Sequence, residues 1–213
     1  MNYIISAAVG YILGSIPTAY LIFKKKQNED ITLKGTGNVG AHNIYEVTNS
    51  KMLGLIVMVI DMAKGSLSAL IPLFIFGDVF IYPAIASIFA IFAHCFNPTI
   101  RFKGGRGLAT TAGISIIIFP FLLVVWVILW LLFYTLKKDI SFGNISATIL
   151  TGVIFLTTSD IAIKYAYPMP DSKSTLVLFV LSILLLIFIK HIEPLNELIS
   201  NKSIFRMKKN DQS

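Results

Sequence analysis

The chain has 213 residues, 55% of them hydrophobic and only 14% charged, with a mean hydropathy of +0.77. A water-soluble domain of this length would expose far more charge, so the composition excludes one and points to an integral membrane protein. The net charge of +7 sits in short loops between apolar runs, which argues against a nucleic-acid partner. The single cysteine, Cys95, excludes an internal disulfide and any CxxC metal or redox site.

Apolar stretches run over residues 2–23, 52–76, 79–97, 108–136, 142–163 and 174–190. Most approach the ~20 residues needed to cross a bilayer. The first has no cation before it and Lys24-Lys25-Lys26 directly after it, and reads as an uncleaved span with its N-terminus outside. The stretch 108–136 contains Pro120, which breaks or kinks a helix. It is either one long helix or a hairpin of 108–119 and 121–136. With seven segments, fifteen of the 18 Lys and Arg residues face the inside, and only Lys164 and Lys173 face out. With six, Lys137, Lys138 and the basic tail would move outside, against the positive-inside rule. The expected fold is therefore an all-α membrane protein of seven transmembrane helices. Its N-terminus is outside, its C-terminus is cytoplasmic, and residues 1–213 form one domain.

Three polar clusters interrupt this apolar chain, all expected at the cytoplasmic face. Lys34 to Asn43 holds Gly35, Gly37 and Gly40 with Thr36 and Asn38 between them. Such a loop offers backbone donors and side-chain hydroxyl and amide groups, although Gly and Asn are also ordinary turn residues. Asp61 and Lys64 lie inside an apolar stretch, where charges are either functional or paired, and their i,i+3 spacing permits a mutual pair. His94 closes another stretch, Pro98 stops the helix, and Phe102-Lys103-Gly104-Gly105-Arg106-Gly107 follows. Three glycines and two cations before the start of a helix make a phosphate-binding loop. A side chain at Gly104 or Gly105 is expected to block anion binding without unfolding the chain. A lone His at a helix end is more often structural than catalytic, and Cys95 reads as a small buried hydrophobe.

These residues resemble a known family, the bacterial membrane glycerol-3-phosphate acyltransferases that use acyl-phosphate as donor. The family's GSGNxGATN is similar to Gly35-Thr36-Gly37-Asn38-Val39-Gly40-Ala41-His42-Asn43, and its DxxKG to Asp61-Met62-Ala63-Lys64-Gly65. Its GHxFPxxxxFKGGKGVAT resembles the run from Ala93-His94 through Phe102 to Thr110, and Gly14 to Tyr20 is typical of its opening. The resemblance is continuous over about residues 10–115. It implies seven helices and transfer of an acyl group to the sn-1 hydroxyl, giving lysophosphatidate and phosphate for phospholipid biosynthesis in the cell membrane. It places Thr36, Lys103 and His191 in catalysis. Gly35, Gly37, Asn38, Asn43, Lys64, His94, Gly104, Gly105, Arg106 and Gly107 would bind substrate. Acyl-phosphate, glycerol-3-phosphate and membrane lipids are the expected partners, with no metal and no cofactor.

The chain departs from the pattern at several positions. Thr36 replaces a Ser, His42 a Thr, Arg106 a Lys, and Glu46 an Arg. Pro194 stands where an Asn is expected after His191, Gly143 and Asn144 replace small residues, and no GTE element follows in 200–206. A divergent enzyme is the first reading. A non-catalytic paralogue that binds lipid or phosphate, as a regulatory or transport protein, is the alternative.

Overall fold

The computed structural model describes residues 1–200 and is helical throughout its regular structure. The GTE comparison and the basic tail beyond Ser200 lie outside the described residues. Helices α1 (Asn2–Gly14) and α2 (Thr18–Gln27) together form one apolar rod broken at Ser15-Ile16-Pro17. Pro17 explains the break, since it cannot donate to the α1 ladder and presets the turn into α2. Three lysines in the last turn of α2 complement its dipole, and Asn28 ends it in the left-handed region. A loop then leads to the short α3 (Ala41–Thr48), followed by the long α4 (Lys51–Phe76), which Ser50 caps through the Leu53 amide.

Helix α5 (Ile81–Cys95) ends at a turn organised by Asn97, which accepts from Thr99 N at 3.0 Å and donates to Ser15 O at 3.0 Å. Helices α6 (Leu108–Ile118) and α7 (Pro120–Lys137) are separated at Phe119. Asp139 caps α8 (Ile140–Thr157), the single-turn α9 (Ser159–Ala162) follows, and Ser172 caps α10 (Lys173–Ile189). A bend of 51° then leads into α11 (Ile192–Ser200).

Small residues set the helix packing. Gly10 and Gly14 of α1 abut the backbone of Ala86 and Ala90 of α5, and Gly65 and Gly113 let α4 and α6 touch at Thr110 and Met62. This close backbone approach is how helices associate where lipid removes the hydrophobic drive. Phe80, Ile91, Ile114, Phe119, Phe155, Phe179 and Ile183 form the main core, joining α5, α6, α8 and α10. A second cluster of Phe23, Ile31, Val39, Ile44, Val57 and Ile100 ties the α2–α3 loop onto α4. Only Leu122 and Leu129 of α7 are buried, so its outer surface is apolar and unpacked, as a lipid-facing helix requires.

The described residues contain five spans long and apolar enough to cross a membrane, or six if α10 and α11 count as one bent span. The expected seventh, α6, has 11 residues. At 1.5 Å per residue it reaches about 16 Å, half of the ~30 Å core. The 108–136 stretch does break at Pro120, and its first half is a short helix packed on α4.

Candidate active site

Two loops and one helix junction converge at one end of the bundle. The first loop, Lys34 to Gly40, is shaped by Asn43 at the start of α3. Its buried amide accepts from Thr36 N at 2.9 Å and donates to Lys34 O at 3.1 Å and Asn38 O at 2.9 Å. Gly35 and Gly37 have φ of 56° and 69°, a region open to glycine at no steric cost. Asn43 and Gly35 therefore build the loop, and neither lines either of the two cavities described below.

The second loop, Phe102 to Gly107, is clamped to the end of α5 by Gly105 N donating to His94 O at 3.1 Å and Asn97 N to Lys103 O at 3.2 Å. Val39 N donates to Gly104 O at 3.2 Å and locks the two loops together. A Cβ on Gly104 would collide with the His94 and Cys95 carbonyls, and one on Gly105 with the His94 ring. The sequence-based expectation that these glycines can be enlarged without harm to folding is thereby corrected. They serve loop-to-helix packing, and Gly104→Leu is expected to lower the amount of folded protein recovered in detergent by about tenfold or more. Size-exclusion profiles of the two proteins check this.

The paired loops border two adjoining cavities. One, of about 320 Å³, is lined by Thr36, Gly37, Lys103, Gly104, Lys190 and Glu193 among others. Three cations face it: Lys103, Arg106 and Lys190, the last with Nζ 5.1 Å above the Phe96 ring. The other, of about 390 Å³, runs between apolar side chains including Leu122, Leu123, Trp126, Val127 and Leu184, with Asp61, His94, Gly107 and Asn144 also on its wall. Asn38 and Arg106 line both. Burial lowers the pKa of the Arg106 guanidinium, while Glu197, Glu193 and Glu46 oppose the shift. Gly107 caps the start of α6 and Gly40 that of α3, and both capping glycines border the apolar cavity, so two positive helix ends face it.

Lys64 lines neither cavity. Its Nζ lies 2.8 Å from Asp61 Oδ1 and donates to Ile16 O at 2.9 Å, with Thr18 Oγ1 donating to the same carboxylate oxygen at 2.9 Å. This is the mutual pair that the i,i+3 spacing permits, and it holds the α1–α2 break against α4. His94 Nδ1 is 3.9 Å from Asp61 Oδ1. His191 is also buried away from both cavities, with Nδ1 2.8 Å from Ile187 O and Nε2 3.3 Å from the Asn144 side-chain nitrogen. Glu46, the charge reversal, lines neither cavity and lies 3.2 Å from His42 Nε2, and it reaches the site only through its charge on Arg106.

Three wall residues escaped the sequence reading: Asp61 as a cavity group, Lys190 and Asn144. Lys190 adjoins His191 and was legible as a cation beside a polar segment. Asn144 stood out only as a departure from small residues, since a lone amide in an apolar helix carries no motif that assigns it a role.

A cation-lined pocket that opens onto an apolar channel in a helical membrane protein defines an enzyme or binder for an anionic lipid or its precursors. The chain belongs to the glycerol-3-phosphate acyltransferase family, whose profile matches residues 4–201. It is 36% identical over 145 residues to glycerol-3-phosphate acyltransferase 2 of Moorella thermoacetica, covering 68% of this chain and 73% of that one. It is 33% identical over 193 residues to the enzyme of Streptococcus thermophilus, covering 91% and 88%. Among solved structures it is similar to PlsY (YgiH), an integral membrane glycerol 3-phosphate acyltransferase, in its glycerol 3-phosphate form. The TM-score is 0.78 at 27% identity, with 94% of each chain covered. The lysophosphatidic acid form gives 0.75 at 26% identity, with 94% and 93% covered.

Proposed function

We propose that the protein transfers an acyl group from acyl-phosphate to the sn-1 hydroxyl of glycerol-3-phosphate. The adjacency of the two cavities carries this reading. The pocket of Thr36, Lys103, Arg106 and Lys190 suits a phosphate, the apolar cavity suits an acyl chain, and Asn38 and Arg106 stand where the two meet. The hydroxyl oxygen attacks the acyl carbon, the bond from that carbon to the phosphate oxygen breaks, and phosphate leaves with the electron pair. The hydroxyl proton ends on the released phosphate. Because phosphate is a good leaving group, neither a covalent enzyme intermediate nor a strong acid is needed. Catalysis rests on positioning and charge stabilisation by Arg106, Lys103 and the helix ends.

The loop charges support seven membrane-embedded segments with the N-terminus outside, the C-terminus cytoplasmic and the site at the cytoplasmic face of the cell membrane. There α6 would be a partly embedded helix. Purified protein given acyl-phosphate and radiolabelled glycerol-3-phosphate is expected to form lysophosphatidate. Binding without turnover, beside an active family member in the same assay, would favour the regulatory or transport reading.

A further inference from the structure

His191 and Asn144 come from helix ends far apart in sequence, yet they form one buried unit, with 1% and 4% exposure. Ile187 O can only accept, so His191 Nδ1 carries the proton. A neutral ring then leaves Nε2 as an acceptor, and the Asn144 amide nitrogen donates to it at 3.3 Å. That assignment orients the Asn144 side chain. Its Oδ1 has no hydrogen-bond partner among the described residues, and Asn144 lines the apolar cavity together with Asn38 and Arg106. The backbone beneath is pinned as well. Thr148 Oγ1 donates to Asn144 O at 2.7 Å and accepts from Trp126 Nε1 at 3.2 Å. A rigid acceptor on a buried residue at a cavity wall, supported by a second layer of hydrogen bonds, has the features of a built contact for a ligand hydroxyl.

We infer that Asn144 Oδ1 holds the attacking hydroxyl of glycerol-3-phosphate and that His191 is a positioning residue acting through Asn144. The inference rests on the acyl-transfer reading above. The hydroxyl donates to Oδ1, which turns its lone pair toward the acyl carbon beside Arg106. As the new carbon–oxygen bond forms and the bond to phosphate breaks, phosphate departs with that electron pair and takes the hydroxyl proton. The amide neither gains nor loses a proton. It fixes an angle, so its removal lowers turnover more than binding, which the cations dominate.

Steady-state kinetics of the full chain in detergent, with thermal unfolding followed in parallel, test this. Asn144→Ala is expected to lower kcat about 100-fold while KM for glycerol-3-phosphate stays within about threefold. His191→Ala is expected to do the same. The double variant should be no slower than the slower single one, because both remove one contact. His191→Gln, which can still accept from the amide, should recover about tenfold over His191→Ala, a rescue that a purely structural role would not produce. Asn144→Leu keeps the branched shape and carries the same expectation if the alanine variant does not fold. A folded Asn144 variant with kcat within about threefold of wild type, or single effects that multiply in the double variant, would overturn the inference alone. A wild-type protein that forms no lysophosphatidate would overturn the function and this inference together.

Discussion

Arg106→Ala is expected to lower kcat/KM for glycerol-3-phosphate acylation by about 1,000-fold, the largest kinetic effect of any single cation here. The reason is position. Arg106 borders both cavities and is half-buried, whereas Lys103 is exposed, with its Nζ donating to Thr32 Oγ1 at 3.4 Å. A charge held in a low-dielectric wall acts on developing charge far more strongly than one that water screens. Lys103→Ala is accordingly expected to cost only about tenfold, and added salt should reduce that difference further. Arg106→Lys should recover part of the loss, because a point charge replaces the cation but lacks the planar fork. Initial rates at varied glycerol-3-phosphate check the ranking. An Arg106→Ala enzyme no slower than Lys103→Ala would remove the junction from the mechanism.

Loss of Asp61 should do the most damage to stability. Asp61 and Lys64 are 2% and 4% exposed, and the carboxylate balances the ammonium while accepting from Thr18. Asp61→Ala would leave a buried ammonium with only the Ile16 carbonyl, at an expected cost of about 3–5 kcal/mol. Lys64→Met should cost less, because Asp61 keeps its Thr18 bond. The double variant Asp61→Leu/Lys64→Met should recover most of the loss, since neither charge is then buried alone. Thermal midpoints in detergent should rank wild type highest and Asp61→Ala lowest. An Asp61→Ala protein as stable as wild type would show that the pair does not hold the α1–α2 break against α4.

Much of this architecture was legible in the chain because the bilayer enforces a simple code. Runs of apolar residues must become helices, and the breaks at Pro98 and Pro120 are visible as proline after an apolar run. The break at Pro17 carried the same signal but was absorbed into one continuous run, since Ser15 and Thr18 are small and the hydropathy stays high across them. The span count suffered from the reverse problem. Hydropathy registers α6 like the longer apolar helices, and only the structure shows its 11-residue length and its packing on α4.

The site divides in the same way. By sequence alone the two polar loops proposed to bind phosphate were determined, because Thr36, Asn38, Lys103, Arg106 and their glycines are local in them and local spacing dictates local backbone shape. What only the tertiary structure decided was the partner of each long-range group. Lys64 pairs with Asp61 and Ile16, His191 meets Asn144, and Gly104 packs on the end of α5 while also lining the cationic cavity. These outcomes depend on which helix faces arrive together, and burial requires every polar group carried inward to find a partner from another part of the chain.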